Sequence, residues 1–111
     1  MFEQVSASIG VDVADLCFNR SEDELRATQN AQIALYTCGL AAWEALRGQV
    51  DRPAAFAGHS VGEYAAVVAS GALSLADGAK LVWKRGELMK NAPTGTMAAV
   101  LGLNAEALEA V

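Results

Sequence analysis

A serine bracketed by glycines separates a short apolar run from a helix-forming run, at Gly58-His59-Ser60-Val61-Gly62. This order is typical of a nucleophile elbow, a turn between strand and helix that is too sharp for large neighbouring side chains. Such a turn lifts the serine hydroxyl clear of the backbone and directs the next amide, from Val61, at a reacting carbonyl as half of an oxyanion hole. The pattern predicts acyl transfer through an acyl-serine.

The same residues also fit a plainer interpretation, a capping box in which Ser60 and Glu63 satisfy the first amides of a helix. A capping box requires neither Gly58 nor Gly62, and glycine within a helix costs about 1 kcal/mol relative to alanine. Five residues are too few to decide, so both interpretations stay open at this point.

Composition and charge limit the classes of protein to consider. The 111 residues are enough for one small domain, and 53% apolar with 19% charged residues excludes a disordered chain. The net charge of -5 argues against nucleic-acid binding, and no apolar run reaches the ~18 residues of a membrane span. Cys17 and Cys38 have no metal or redox spacing, so we expect two buried thiols, no metal and, by default, a cytoplasmic location.

Apolar periodicity and capping residues predict alternating helices and strands, and therefore an α/β fold. Helices are expected from Ser21, over Gln29–Arg47, Ser60–Ser70 and Ser74–Asn91, and after Asn104; strands are expected over Pro53–Ala57 and Thr96–Leu103. In the long second helix, 12 of the 16 residues from 31 to 46 are apolar, which is typical of a helix buried on nearly all sides.

Arg85 interrupts the apolar side of the helix predicted over Ser74–Asn91. It lies four residues after Leu81 and three before Leu88, so all three share one face. A guanidinium that faces the core needs acceptors. One interpretation is a structural ion pair, or a side chain that reaches past its apolar stem to water. The other is a clamp for a substrate carboxylate, which suits the planar fork of arginine.

With Ser60 and Arg85 in place, the chain resembles malonyl-CoA:acyl-carrier-protein transacylases, which serve fatty-acid synthesis and have relatives in polyketide synthases. The matching stretches follow the order of that family along nearly the whole chain: Thr28-Gln29, Gly58–Glu63, Gly71–Ser74, Arg85–Met89 and Met97–Leu103. The resemblance implies an α/β-hydrolase-like acyltransferase core, of which residues 1–95 would be part of the large subdomain. Residues 96–111 would begin a ferredoxin-like small subdomain.

The resemblance also implies roles for five residues. Ser60 would attack malonyl-CoA and carry the malonyl group as an ester, and Val61 would give an oxyanion amide. Arg85 would hold the malonyl carboxylate, Met89 would line the acyl pocket, and His59 would lie beside the pocket without being the base. The acceptor would be the phosphopantetheine thiol of an acyl carrier protein, with no further cofactor, no nucleic acid and no membrane involved.

Two parts of the family pattern have no counterpart in the sequence, a glycine- and glutamine-rich oxyanion loop and a histidine well after Arg85. We therefore expect an internal piece of such an enzyme, with little turnover by itself. Two alternatives remain. An α/β-hydrolase esterase would share the turn at Ser60 but have no use for Arg85, and a non-catalytic helical interaction domain would use Ser60 only as a helix cap.

Overall fold

The computed structural model of the chain describes residues 1–93, 95 and 98–110. Within these ranges the chain forms helices joined by turns and irregular segments. The helices are α1 (Phe2–Ile9), α2 (Val13–Phe18), α3 (Glu22–Arg26), α4 (Thr28–Leu46), α5 (Gly62–Ala69), α6 (Leu75–Lys90) and α7 (Ala105–Glu109). None of the helices in the described part of the chain is long and apolar enough to cross a membrane.

The predicted α/β class is wrong for the described residues, which contain helices and no strand. The segment 53–57, predicted as a buried strand, is irregular, and its three alanines are exposed. In the second predicted strand, residues 96 and 97 lie outside the described residues, and residues 98–103 form no strand. Apolar sequence alone does not make a strand, because its backbone groups must pair with a neighbouring strand. The described residues contain no such neighbour.

The long helix α4 is the centre of the fold, because α1, α2, α3, α5 and α6 all pack against it. Its inward side carries Ile33, Tyr36 and Leu40, while Leu35 on the outward side is 63% exposed. The helix is therefore buried along one side and not on nearly all sides. The core that it organises is contributed by five segments of the chain: Val5, Val13, Leu16, Ile33, Tyr36, Leu40, Val61, Ala79 and Val82.

Helices α4 and α6 form the most extensive contact, and glycine makes their close approach possible. A Cβ atom on Gly86 would lie 2.8 Å from the Cα of Gln29, and one on Gly78 would lie 2.4 Å from the hydroxyl oxygen of Tyr36. The Tyr36 hydroxyl in turn donates a hydrogen bond to the carbonyl of Leu75 at 2.8 Å. This approach sets the residues beside Gly86 directly against the inward side of α4.

The helix starts predicted at Ser21, Ser74 and Asn104 are confirmed. Ser21 forms a capping box with Glu24, and Ser74 accepts from the amide of Asp77 at 3.1 Å. Asn104 accepts from the amide of Ala107 at 2.8 Å. The expectation of two buried thiols is wrong, because Cys17 is only half-buried. Burial and the neighbouring Cys38 thiol raise the pKa of Cys17 to about 11, whereas Cys38 itself is exposed.

We predict that Gly86→Ala lowers the free energy of unfolding by roughly 1–2 kcal/mol, although alanine is the better helix former. The added methyl group would press on the backbone of α4, and overpacking of this kind outweighs the ~1 kcal/mol gained in helix propensity. Gly39→Ala is the matched control, because a Cβ there meets open space, and it should raise stability by about 0.5–1 kcal/mol. Urea unfolding followed by circular dichroism measures both. Equal stabilisation by the two variants would show that the helices can separate freely.

Candidate active site

Ser60 occupies a strained turn between the irregular segment and α5. Its φ angle is +54°, and it is the one non-glycine residue with a positive φ in the described ranges. For a residue other than glycine, this left-handed conformation is about 1–2 kcal/mol less stable than the right-handed one. The turn is closed by backbone hydrogen bonds from Gly62 to the carbonyl of His59 at 2.9 Å and from Glu63 to the carbonyl of Ser60 at 3.3 Å.

Gly58 is the glycine that the turn requires for steric reasons. A Cβ atom there would lie 2.1 Å from the carbonyl carbon of Gly62 and 2.5 Å from the amide nitrogen of Glu63. A Cβ on Gly62, in contrast, would meet nothing within 4 Å. The two glycines of the motif are therefore not equivalent, and the crowding comes from the residue two before Ser60.

The Ser60 hydroxyl does not cap the helix that follows it. No side-chain hydrogen bond caps α5, whose N-cap position is Val61. The hydroxyl oxygen instead accepts a hydrogen bond from Nη2 of Arg85 at 3.0 Å. The capping box considered from the sequence is thus not formed, and a residue 25 positions away takes its place as the partner of Ser60.

Arg85 is half-buried and is held by an amide. Its Nη1 donates to Oε1 of Gln32, and Nε2 of Gln32 donates to Sδ of Met89 at 3.3 Å. Among the described residues, none of the six ion pairs involves Arg85. The structural ion pair considered from the sequence is therefore not formed there. The guanidinium thus lies between the Ser60 hydroxyl and a neutral amide.

The surroundings of Arg85 on α6 differ from the predicted apolar side. Leu81 is 49% and Leu88 is 61% exposed, whereas Ala79, Val82 and Gly86 are buried. Small residues, and not the leucines, face α4. Arg85 lies at the border of this buried side, which places its stem against protein and its charged end near the surface turn of Ser60.

Val61 and His59 flank Ser60 in different environments. The Val61 side chain belongs to the core, and its N–H donates to no acceptor within the described ranges. His59 is exposed, and its ring makes no hydrogen bond with any residue that the structure describes. A free amide next to the hydroxyl is available to an incoming carbonyl oxygen. The imidazole is accessible from solvent.

Gln32, which links the other members of the site, was not predicted from the sequence. It is 7% exposed and lies on the inward side of α4, where most residues are apolar. Its signal was an amide within the apolar part of α4, between Ala31 and Ile33, at a position that faces the core. Such a residue needs partners for both ends of its amide, and here Arg85 and Met89 provide them.

Comparison with known proteins identifies the family. The acyl transferase domain family matches residues 2–110. A malonyl CoA-acyl carrier protein transacylase of Bacillus subtilis strain 168 is 42% identical over 114 aligned positions, which cover 100% of this chain and 36% of the relative. The crystal structure of such a transacylase from Clostridium perfringens has a TM-score of 0.85 at 36% identity, covering 98% of this chain and 35% of that one.

A third relative was solved as a complex. It is a malonyl-transacylase bound to a type II polyketide synthase acyl-carrier protein, with a TM-score of 0.78 at 35% identity over 86% of this chain and 31% of that one. The chain thus spans about a third of the length of the transacylases that it matches. The family match extends over almost every residue, and the family expected from the sequence is confirmed: this chain belongs to the acyl transferase domain family.

Proposed function

We propose that this chain supplies the nucleophile and the carboxylate clamp of an enzyme that transfers a malonyl group from malonyl-CoA to the phosphopantetheine thiol of an acyl carrier protein. The observation that carries the proposal is the 3.0 Å contact between the Arg85 guanidinium and the Ser60 hydroxyl. The transacylase names of the relatives, and the carrier protein in one of their structures, support the choice of donor and acceptor.

The proposed reaction has two transfers at one oxygen. Ser60 Oγ attacks the malonyl thioester, an oxygen–carbon bond forms, and the carbon–sulfur bond to coenzyme A breaks. The thiol of the carrier protein then attacks the malonyl ester and releases Ser60. A guanidinium has hydrogen-bond donors and no acceptor, so Arg85 is unsuited to accept the serine proton. We assign that step to a histidine base, as the family resemblance implies, with Val61 N–H stabilising the oxyanion.

The position of Arg85 fits a clamp for the free end of a malonyl group. In the malonyl ester only three covalent bonds separate Oγ from the carboxylate carbon. A guanidinium already in contact with Oγ is therefore close to the position that this carboxylate would take. Two parallel N–H donors then match the two carboxylate oxygens, and partial burial strengthens the attraction relative to water. Met89, tied to the same network, would border the acyl group, and exposed His59 would lie at the entrance.

Neither alternative from the sequence accounts for this geometry. A neutral ester offers nothing to a guanidinium that lies beside the nucleophile. An interaction domain with Ser60 as a helix cap would place the hydroxyl on the α5 amides, which it does not contact. A substrate that carries both a thioester and a carboxylate would use both groups. Ser60 would attack the thioester, and Arg85 would bind the carboxylate.

We also propose a boundary near residue 95. Residues 98–110 are exposed, and α7 packs against none of the other described helices. The proposed reaction uses malonyl-CoA and the carrier thiol as substrates and asks for no additional cofactor. A cytoplasmic location stays part of this proposal, and the two unpaired thiols agree with a reducing compartment.

Arg85→Ala in the full-length protein should lower kcat/KM for malonyl transfer by about 100-fold and change acetyl transfer from acetyl-CoA only slightly. The loss reflects the removal of a charge-assisted bidentate contact, worth about 2–3 kcal/mol. Arg85→Lys keeps the charge but lacks the planar fork of donors. Its kcat/KM for malonyl transfer should lie between those of the wild type and Arg85→Ala. Lys84→Ala, an exposed neighbour on α6, is the control. An equal fall for malonyl and acetyl transfer would refute the clamp.

Incubation of the full-length protein with malonyl-CoA should produce a single malonyl adduct on Ser60, identified by peptide mass spectrometry. Addition of a carrier protein bearing phosphopantetheine should discharge the adduct, because the ester is an intermediate and not an end product. Ser60→Ala should form none. An adduct that persists in Ser60→Ala, or that forms equally well from a neutral acyl ester, would favour a different nucleophile or an esterase.

Ser60→Gly should raise the free energy of unfolding by about 1 kcal/mol, because glycine adopts a φ of +54° without strain. Ser60→Ala should change it by less than about 0.5 kcal/mol, since the hydroxyl caps no helix. Urea titration of the three proteins measures both effects. A loss of about 1 kcal/mol in Ser60→Ala is what a helix cap predicts, and it would restore the non-catalytic alternative.

A further inference from the structure

We propose that Gln32 is a positioning residue that makes the enzyme selective for a carboxylate-bearing acyl group by fixing the orientation of Arg85. The inference rests on the proposed function, because it needs Arg85 to bind the substrate carboxylate. The new element is that selectivity for the acyl group depends on two residues, Gln32 on α4 and Arg85 on α6. The geometry around Gln32 carries it.

The amide of Gln32 has one chemically allowed orientation. Arginine only donates hydrogen bonds, so the atom of Gln32 that faces Nη1 must be the oxygen Oε1. The nitrogen Nε2 then faces Met89, whose thioether sulfur accepts at 3.3 Å. Because the side chain is 93% buried and both ends of its amide have partners, it has no freedom to rotate without losing a hydrogen bond.

The amide of Gln32, called the anchor here, occupies one nitrogen of the Arg85 guanidinium and leaves the other available to substrate. Gln32 takes Nη1, and Nη2 points to the Ser60 hydroxyl. Since the anchor is neutral, it orients the fork and leaves its positive charge for the substrate. Immobilising the fork in advance removes the ordering cost from the binding step and keeps the carboxylate aligned with the thioester.

The helix packing makes the anchor rigid. Gly86, the neighbour of Arg85, lets α6 approach the backbone of α4 at Gln29. Gln29 and Gln32 are three residues apart and therefore share one side of α4. The close contact between the helices thus fixes the distance between the Gln32 amide and Arg85. The position of the Arg85 guanidinium is therefore set by two packed helices and not by a loop.

Two substitutions in the full-length protein test the anchor. Gln32→Leu removes the acceptor at similar volume, and we expect kcat/KM for malonyl transfer to fall about tenfold while acetyl transfer changes less than about twofold. Gln32→Glu keeps the shape but supplies a competing carboxylate, and we expect the KM for malonyl-CoA to rise by roughly tenfold or more. Gln49→Leu, an exposed glutamine beyond α4, is the control and should change neither reaction.

A double-mutant cycle shows whether Gln32 acts through Arg85. In an Arg85→Ala background, Gln32→Leu should leave the ratio of malonyl to acetyl transfer unchanged, because there is no fork left to orient. A further tenfold loss in that background would overturn the proposal. So would an equal fall of both reactions in Gln32→Leu, which is what a purely structural role predicts. If Gln32→Leu does not fold, Gln32→Asn provides the same comparison, with the acceptor withdrawn by one methylene.

The outcomes separate this inference from the proposed function. If Arg85→Ala lowers malonyl and acetyl transfer equally, the carboxylate clamp itself is wrong and the role of Gln32 falls with it. If Arg85→Ala separates the two substrates and Gln32→Leu does not, the clamp stands and the role of Gln32 is refuted.

Discussion

The contact between α4 and α6 is the interaction on which the rest of the structure depends. α1, α2, α3 and α5 all pack against α4, and α6 closes against it through buried glycine and alanine. Side chains of ordinary size at Gly78 or Gly86 would push the two helices apart. That separation would carry Arg85 away from Gln32, so the packing of small residues and the geometry of the charged site are one property of the fold.

The parts of the fold that depend on neighbours in sequence were predictable, and those that depend on distant partners were not. Ser21, Ser74 and Asn104 start helices because a side-chain oxygen and an amide three residues later suffice. The segment 53–57 has the apolar composition of a strand, but strand pairing is decided by residues far away, and the described chain offers none. The helices before residue 20 were missed, although Phe2, Val5 and Ile9 of α1 recur at helical spacing, because both helices are short and their apolar residues are few.

The same division applies to the site. The turn at Ser60 was predictable because the crowding arises within five residues, although only Gly58 is crowded and Gly62 is not. Arg85 was conspicuous as a charge near apolar residues, yet its partners could not be read from spacing. The roles given to Ser60, Val61, Arg85, Met89 and His59 remain predictions. Gln32 was overlooked because one amide in an apolar helix gives no local sign of what it will meet across a helix interface.

A neutral anchor for Arg85 has a physical advantage over the ion pair that is usual for a half-buried arginine. A carboxylate in place of the Gln32 amide would hold the guanidinium more firmly, but it would also satisfy the charge and make a substrate carboxylate a competitor. The amide oxygen of Gln32 orients the Arg85 guanidinium but does not neutralise its charge. Its cost is a partly buried cation with no counter-charge among the described residues, a cost that is limited because Nη2 lies near the surface and contacts a hydroxyl. If Arg85 holds the carboxylate as proposed, an anionic acyl group would supply the counter-charge that the amide anchor does not, and selectivity for such a group would follow from that difference.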